Sequence, residues 1–198
     1  MDKLVKYLED NYNISNEEIA LLEQCVEAYT YTKGSCISSV GAIVDKIYFI
    51  DEGIMRAYYT GETDLEITRR FYFENDFCTN WVSFRNRIPS VEYIEAVNDV
   101  SGVSISFSDF MKLLETSTNF KNIYAHILEK FQDYHLKKFH FINNLTLQEQ
   151  VSDMELYFPK LRQKISNKLL ASFLHITPQH LCRVKKVNQV IDLLTFVH

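Results

Sequence analysis

Hydrophobic and polar positions change their period twice along the chain of 198 residues. Residues 3–27 place apolar side chains at helical spacing, and Ser15 with Glu18 three residues later predicts a capping box at the start of a second helix. Between about residues 28 and 107, short β-branched and aromatic runs alternate with turn signals, and all five glycines fall in this segment. Helical spacing then resumes. The pattern predicts helices, then a jelly roll, sandwich or small barrel of short strands, then helices again.

One predicted helix is longer than the rest. Residues 119–143 contain neither Gly nor Pro, and apolar side chains recur at intervals of four, three, four and three, which is the spacing of a coiled-coil seam. The seam residues are Phe120, Tyr124, Ile127, Phe131 and Tyr134. We interpret the seam as the interface of a parallel homodimer, and the alternative is that the same face packs on the barrel. Lys138 takes the next seam position and is expected to weaken or end it.

Two short helices joined by a tight turn are predicted near the C-terminal end of the chain. The first, from about residue 166, has one apolar face, made by Leu169, Leu170, Phe173 and Leu174. Thr177 then offers an N-cap hydroxyl, and Pro178 suits the first position of the second helix because its missing N–H would have no partner there. This pattern predicts a helix-turn-helix whose polar and basic second helix fits a DNA major groove.

Charge is segregated toward the same end of the chain. Residues 1–145 hold 14 Lys and Arg against 22 Asp and Glu, whereas residues 146–198 hold 7 against 4. Residues 159–186 contain seven basic and no acidic side chains, although the whole chain has a net charge of −5. A cationic segment on an acidic protein directs that end toward phosphate, so the charge favours double-stranded DNA as a partner. A solvated face of an ordinary helical domain is the alternative.

Several classes of protein do not fit the sequence. No apolar run approaches the ~18 residues of a membrane span, and the N-terminus lacks the apolar core of a signal peptide, so we expect a cytoplasmic protein without a membrane partner. The four cysteines are far apart, which argues against a zinc site, and no cofactor is predicted. None of the six histidines lies in residues 28–107, so a cupin-type metal enzyme is not expected. We therefore predict that the protein is not an enzyme.

The order of these elements resembles the Crp/Fnr family of bacterial transcription regulators, and the resemblance covers nearly the whole chain. It is strongest in FPKLRQKISNKLLASFLHITPQHLCRVKK, from Phe158 to Lys186, which is similar to the branch common in Bacteroidetes with its signature "ASYLGITPESLSR". The matching residues there are Ala171, Ser172, Leu174, Ile176, Thr177, Pro178, Leu181 and Arg183. The segment IYFIDEGIMRAYY is similar to a hairpin of the family, and it matches at Ile47, Phe49, Gly53 and Arg56.

The resemblance implies an α+β fold with three parts. Residues 1–117 would form N-terminal helices and an effector-sensing jelly-roll barrel of the cyclic-nucleotide-binding type. Residues 118–144 would form the dimerisation helix, and residues 145–198 a helix-turn-helix domain of winged-helix-like form. The implied function is sequence-specific transcription regulation by a homodimer on double-stranded DNA, with an unidentified small-molecule effector and RNA polymerase as further partners.

Two departures from the family pattern change what the resemblance implies. The family usually has Gly at the turn, where this chain has His175, and His adopts a positive φ at some cost. In the nucleotide-binding members a Gly-Glu pair and a later Arg hold the cyclic nucleotide, but the aligned positions here are Thr79, Asn80 and Ser90. Because a buried phosphate without an Arg partner is costly, we expect no tight binding of cAMP.

Candidate site residues follow from these patterns. We expect Gln179, His180 and Arg183 to contact bases, since Arg suits guanine and Gln suits adenine. The expected phosphate contacts are Thr177, Lys164, Lys168, Lys185 and Lys186. A candidate effector pocket comprises Phe71, Phe73, Phe77, Trp81, Arg85, Arg87 and Tyr93, and the alternative for these side chains is ordinary core or a solvated loop. An alternative function is a ligand-binding sensor whose degenerate helix-turn-helix contacts another protein, and His175 is the feature that favours it.

Overall fold

The computed structural model describes residues 1–61 and 65–195, with side chains described up to residue 188. These residues divide into two compact units. The first unit contains residues 1–60 and 69–128, and the second contains residues 61–68 together with the chain from residue 129 onward. The domain boundaries that we expect from the sequence stay a prediction, because this division by contacts cuts the long helix after Leu128 and does not set it apart.

Helices flank a central block of strands in the chain. The helices are α1 (Asp2–Asn11), α2 (Asn16–Cys25), α3 (Trp81–Asn86), α4 (Phe107–Thr116), α5 (Thr118–Asn144), α6 (Leu147–Ser152), α7 (Met154–Tyr157), α8 (Pro159–Lys164), α9 (Asn167–Phe173) and α10 (Pro178–Thr195). The strands are β1 (Val26–Tyr31), β2 (Cys36–Ser38), β3 (Lys46–Glu52), β4 (Met55–Thr60), β5 (Glu66–Tyr72), β6 (Phe77–Cys78), β7 (Tyr93–Ala96) and β8 (Val100–Ser106).

The strands form two four-stranded sheets with the orders β1-β8-β3-β6 and β2-β7-β4-β5. Strand β8 pairs antiparallel with β1 and β3, and β7 pairs antiparallel with β2 and β4. Side chains from both sheets fill the space between them, and the buried cluster comprises Tyr48, Ile50, Met55, Ala57, Tyr72, Cys78, Ile94, Ala96 and Val100. The arrangement confirms the prediction of a short-stranded jelly roll between helical segments.

The turn between β3 and β4 explains why Gly53 lies where it does. Its φ is +94°, and a Cβ added there would lie 2.3 Å from the carbonyl oxygen of Asp99. A side chain is therefore excluded both by the backbone conformation and by the close approach of another segment. The predicted hairpin at this glycine is wrong: the turn is present, but β3 and β4 belong to different sheets, so the two strands do not pair.

The second N-terminal helix begins where the sequence predicts. Ser15 accepts a hydrogen bond from the backbone N–H of Glu18, and the Glu18 carboxylate accepts one from the backbone N–H of Ser15, so the predicted capping box is confirmed. Leu4, Leu8 and Leu22 are buried. Phe49, on the face of β3 opposite to the buried Tyr48 and Ile50, lies 5.5 Å from the ring of Tyr7 on α1. The helices therefore bury the outer face of this strand.

The second unit differs from the sequence prediction in two details. The helical spacing that resumes after residue 107 is interrupted at Asp153 (φ −93°, ψ 2°), which separates α6 from α7. Within residues 129–195, which are described, no strand is present, so the expectation of a winged form is not met there. Of the last eleven residues, those up to Thr195 extend α10, while their side chains from residue 189 and all of residues 196–198 lie outside the described part of the chain.

Residues 66–68 of β5 belong to the second unit because they bond to its helices. The Ser172 hydroxyl on α9 donates a hydrogen bond to the carbonyl oxygen of Glu66 at 2.6 Å and accepts one from the backbone N–H of Thr68 at 3.0 Å. Lys138 on α5 donates from Nζ to the carbonyl oxygen of Thr68 at 2.7 Å, and the same ammonium lies 4.1 Å from the ring centroid of Phe173. Lys138 is thus a buried side chain of this unit.

Candidate nucleic-acid interface and effector region

The turn between α9 and α10 is a Schellman motif with a histidine at its left-handed position. The backbone N–H of Ile176 bonds to the carbonyl oxygen of Ala171 at 3.0 Å, and that of His175 to Ser172 at 3.3 Å. His175 has φ +59°, a conformation that glycine adopts freely and other residues adopt at a cost. The helix pair therefore keeps its tight turn without the usual glycine.

The same histidine has an altered titration. Partial burial desolvates the imidazole, and the positive charge of Lys138 opposes protonation, so the pKa of His175 is lowered from its ordinary value of 6.5. The neutral form of His175 is favoured in the folded protein.

Helix α10 begins at the predicted residue. Pro178 is its first residue, and the hydroxyl of Thr177 accepts a hydrogen bond from the backbone N–H of His180 at 3.2 Å, so the predicted N-cap is confirmed. Leu181 and Val184 are buried. This burial anchors one side of the helix in the second unit.

The three side chains expected to contact bases lie on the solvent side of α10. Gln179, His180 and Arg183 are all exposed. Positions 179 and 183 are one helical turn apart and share a face, while the buried Leu181 and Val184 lie on another side. The structure therefore brings the three candidates together on a free helical surface near its N-terminal end.

The candidate phosphate contacts have different surroundings. Lys164, Lys168 and Lys186 are exposed. Lys185 donates from Nζ to the Oδ1 atom of Asn167 at 2.6 Å, and its pKa is lowered, first by desolvation and then by the charge of Arg162. The Thr177 hydroxyl acts as the N-cap. Lys185 and Thr177 therefore already contact their own chain.

The positions aligned with the family's nucleotide cassette are closed by hydrogen bonds within the first unit. The Asn80 side chain accepts a bond from the backbone N–H of Ser83 at 3.0 Å and donates from Nδ2 to the Ser90 hydroxyl at 3.1 Å. Ser90 in turn donates to the carbonyl oxygen of Glu92 at 2.8 Å. Thr79 is fully buried and donates to the carbonyl oxygen of Lys46 at 2.9 Å. These polar groups are satisfied by the chain itself.

The two arginines near this region bond elsewhere. Arg87 donates to the carbonyl oxygen of Val44 at 3.0 Å and to the carboxylate of Asp45 at 2.7 Å. Arg85 lies 2.9 Å from the sulfur of Met111 on α4. Neither guanidinium contacts Ser90 in these interactions.

The residues predicted as one effector pocket lie in different surroundings. Phe77 and Trp81 line an apolar cavity of about 80 Å³ in the first unit. Phe71 and Phe73 are buried but do not line it, and Tyr93 stacks on Tyr58 at a centroid distance of 5.2 Å. The structure therefore does not bring the seven residues together in one cavity, and their assignment as an effector pocket stays a prediction. Strand alternation separates these side chains, because positions 71 and 73 point away from the face that holds Tyr72.

The cavity lies on the outer side of the sheet that contains β3 and β8. It is lined by Leu4, Leu8, Leu22, Val26, Ile47, Phe49, Phe77, Trp81, Val103, Ser104, Ile105, Phe110, Leu113, Leu114, Phe120, Ile123, Tyr124 and Ile127. No pattern in the sequence predicts this cavity, because its wall combines side chains from segments that are far apart in the chain.

Comparison with solved structures shows the fold. A Crp/Fnr-family transcriptional regulator from Eubacterium rectale superposes with a TM-score of 0.72 at 18% identity, covering 93% of this chain and 88% of that one. FixK2 from Bradyrhizobium japonicum gives 0.72 at 13% identity, with 84% and 86% covered. The c-di-GMP responsive regulator CLP from Xanthomonas campestris gives 0.74 at 15% identity, with 90% and 94% covered.

The chain has the fold of the Crp/Fnr regulators. No protein-family model matches the sequence, and no curated protein matches it either. The sequence resemblance to the Bacteroidetes branch of the family therefore stays a hypothesis.

Helix α5 of this Crp/Fnr fold does not present the predicted seam to solvent. Phe120 is buried, and Ile127 lines the cavity. Tyr124 lies 5.6 Å from Trp81 and 5.1 Å from Phe110, measured between ring centroids. The alternative of packing within the chain is therefore the observed one for these positions.

The C-terminal half of the seam is also engaged within the chain. Tyr134 lies 5.6 Å from the ring of Phe158, and Phe131 lies 4.4 Å from the ring of His135. These residues contact their own chain, and their assignment as a dimer interface stays a prediction. A heptad spacing marks a buried face of a helix and does not specify what buries it.

The sheet β2-β7-β4-β5 of the Crp/Fnr fold carries buried ion pairs that sequence reasoning missed. Arg56 on β4 lies opposite Glu95 on β7, and their Nε and Oε1 atoms are 2.6 Å apart. Arg69 contacts both carboxylate oxygens of Glu92, with 2.6 Å between Nη2 and Oε1. Sequence patterns do not reveal these pairs, because the partners are far apart in the chain.

The described residues contain neither a membrane-spanning helix nor a cluster of metal ligands. In residues 1–61 and 65–195, no helix has the length and apolar character needed to cross a bilayer. Within the same part of the chain, no group of three or more His, Cys, Asp or Glu side chains is placed to hold a metal ion.

Proposed function

We propose that the protein is a homodimeric, sequence-specific DNA-binding transcription regulator of the Crp/Fnr type. In this proposal α9 and α10 form the helix-turn-helix, and the N-terminal part of α10 enters the major groove of double-stranded DNA. The first unit acts as the sensor, and α5 joins it to the second unit along the chain. RNA polymerase is the further partner on which such a regulator would act.

The division of α10 into an exposed side and a buried side is the main support for this proposal. Gln179, His180 and Arg183 are exposed on a helix whose opposite side is anchored by the buried Leu181 and Val184. A recognition helix needs this division, because its buried side fixes its position while its free side reads base edges. Arg and Gln are the side chains that bond bidentately to guanine and adenine.

Charge supports the same assignment. The seven basic residues between 159 and 186 are accompanied by no acidic residue, and Lys164, Lys168 and Lys186 are exposed. Exposed cations on such a segment attract the phosphate backbone and release its counterions.

The homodimer is proposed on a face of α5 other than the predicted one. Leu128, Gln132, His135, Phe139 and Ile142 follow one another at intervals of four, three, four and three, the same heptad spacing. Phe139 is 67% exposed, and the neighbouring Leu136 is 57% exposed. Large apolar side chains with this exposure on a helix with a heptad repeat are typical of an interface between copies.

The proposed sensor does not respond to cAMP. Asn80 and Ser90 are buried and bond to each other where the family's nucleotide-binding members carry Glu and Arg. The sensor alternative, in which the helix-turn-helix has become a protein-binding surface, rested on His175. His175 adopts the left-handed conformation that the turn requires. The histidine is therefore compatible with an intact helix-turn-helix, and this weakens the sensor alternative.

Titration of fluorescent duplex DNA with salt tests the proposal. The logarithm of the binding constant is expected to fall linearly with the logarithm of salt concentration, with a slope of about −0.9 for each phosphate contacted. Lys186→Ala should reduce this slope by about one contact, and Arg183→Ala should cost ~1–3 kcal/mol and relax the preference at one base pair.

Lys6→Ala is the matched control, because Lys6 is an exposed cation of α1 that pairs with Asp10. It should leave the slope unchanged. A protein whose binding responds equally to Lys6→Ala and Lys186→Ala would attract DNA only through its overall charge, and the assignment of α10 would be wrong.

A further inference from the structure

We infer that the apolar cavity of the first unit is the binding site of a small, uncharged, monocyclic aromatic effector. The site lies outside the jelly-roll interior, between the outer face of the β3-β8 sheet and the helices that cover it. This inference rests on the proposed function in one respect, namely that the first unit is a sensor.

The cavity wall determines the class of ligand. Of the described lining residues, Ser104 alone has a side chain that is neither aliphatic nor aromatic. Its hydroxyl is directed to the carbonyl oxygen of Glu27, 3.5 Å away. No Asp, Glu, Lys, Arg or His is among the described lining residues. A charged or strongly polar ligand would lose its hydration without replacement there, and water would lack the polar partners that hold it in a cavity.

Aromatic side chains form much of the wall. Phe49, Phe77, Trp81, Phe110, Phe120 and Tyr124 contribute their rings. Tyr124 meets Phe110 edge to face, with an interplanar angle of 82°. Rings prefer such edge-to-face and offset contacts, so a planar aromatic guest finds partners that a polar guest does not. The cavity volume of about 80 Å³ is smaller than the ~150 Å³ of an engineered cavity that binds benzene, so a single small ring is the largest guest, and side chains of the wall must shift to admit it.

The interior of the jelly roll offers a contrast. Tyr48, Met55 and Tyr72 belong to a cluster of buried side chains that occupies the space between the two sheets. Space for a guest in the first unit therefore exists on the outer side of one sheet, where an apolar void remains among packed side chains. Voids larger than a water molecule are few in well-packed proteins.

Part of the cavity wall belongs to α5, the helix that we propose for dimerisation. Ile123, Tyr124 and Ile127 line the cavity, and the same helix continues to Asn144. A guest would contact the helix that we propose for dimerisation. Occupancy is thus placed to change the packing of α5 against its own sheet.

Thermal unfolding of the full-length protein with benzene as the probe tests the inference. Benzene is expected to raise Tm in a saturable manner, because a ligand that binds the folded state stabilises it by mass action. Methyl NMR locates the site, since signals of Ile47, Ile123 and Ile127 should shift while that of Ile94, inside the jelly roll, should not.

Variants that fill the cavity provide the decisive comparison. Leu114→Phe adds a ring to the wall and is expected to weaken benzene binding by about tenfold or more. Val26→Ile adds one methyl group to the wall and is the second filling variant, to be used if Leu114→Phe does not fold. Leu156→Phe makes the same exchange at a side chain of α7 that is 78% exposed, and it should leave benzene binding unchanged.

The inference is overturned if benzene gives no saturable rise in Tm, or if both filling variants bind benzene as tightly as the parent. These measurements are made without DNA, so their outcome does not depend on whether the protein binds DNA. A parent that binds benzene in the cavity but binds no DNA would overturn the proposed function while supporting the cavity as a ligand site.

Discussion

Asn80 donates a hydrogen bond to the hydroxyl of Ser90 at 3.1 Å, and both side chains are buried. The resemblance to the Crp/Fnr family places these two residues where nucleotide-binding members carry a ribose-binding Glu and a phosphate-binding Arg. The chain therefore satisfies its own polar groups at this position. A cyclic phosphate entering here would break these bonds.

We expect no tight cyclic-nucleotide binding for this reason. Calorimetric titration with cAMP or cGMP should give no saturable heat, because a buried phosphate without a cationic partner is unfavourable. A known cyclic-nucleotide-binding protein titrated in the same buffer is the control. A low-micromolar Kd for either nucleotide would contradict the assignment.

Replacement of His175 by glycine should stabilise the second unit. His175 has φ +59°, where a Cβ is unfavourable, so His175→Gly is expected to raise the free energy of unfolding by about 1 kcal/mol in urea denaturation. His175→Ala keeps the Cβ and is the matched control without that gain. Equal stability of the Gly and Ala variants would show that the turn is not strained.

The same residue predicts a dependence of stability on pH. The pKa of His175 is lowered from 6.5 by desolvation and by Lys138, so the unfolded chain binds the proton more readily than the folded one. The stabilisation by neutral His175 is present above pH 6.5 and is lost as pH falls through the lowered folded-state pKa.

Comparison with His175→Asn isolates this effect, because Asn tolerates the left-handed conformation and does not titrate. Denaturation curves measured from neutral to acidic pH should show the parent losing stability relative to the variant below about pH 6.5. Parallel curves for the two proteins over the whole range would refute the assignment.

A charge on the exposed side of α5 should separate the proposed dimer. Phe139→Glu places a carboxylate on the heptad stripe, and like charges would then face each other across the interface, so the protein should become monomeric in analytical ultracentrifugation. Leu156→Glu changes another exposed apolar residue in the same way and should remain dimeric. Retention of the dimer by Phe139→Glu, with unchanged circular dichroism, would remove this stripe as the interface.

The sequence predicted those features that depend on local chemistry. The capping box at Ser15, the turn at Gly53 and the start of α10 at Pro178 each follow from how a residue bonds or restrains its own neighbourhood. The sequence did not show that the strands on either side of Gly53 belong to different sheets. The exposed positions of Gln179 and Arg183 follow from helical periodicity beside the apolar Leu181.

Features that depend on distant partners were not predictable in this way. The apolar character of the α5 seam follows from the sequence, but the residues that pack against it do not. Tyr124 of the seam packs against Trp81 and Phe110 of the same chain. Lys138 was expected to weaken or end the apolar seam of α5. In the structure it is buried, and its ammonium donates a hydrogen bond to the carbonyl oxygen of Thr68. Tertiary contacts between remote segments decide such cases, and periodicity carries no information about them.

Selection of binding sites from random duplex DNA with the purified full-length protein tests the central claim most directly. We expect a palindromic consensus whose half-sites are about one helical turn apart, since two recognition helices of a symmetric dimer read successive major grooves. Arg183→Ala should lose the preference at one base pair of each half-site. Recovery of no consensus in low salt, from a protein confirmed to be dimeric, with and without benzene, would contradict the account.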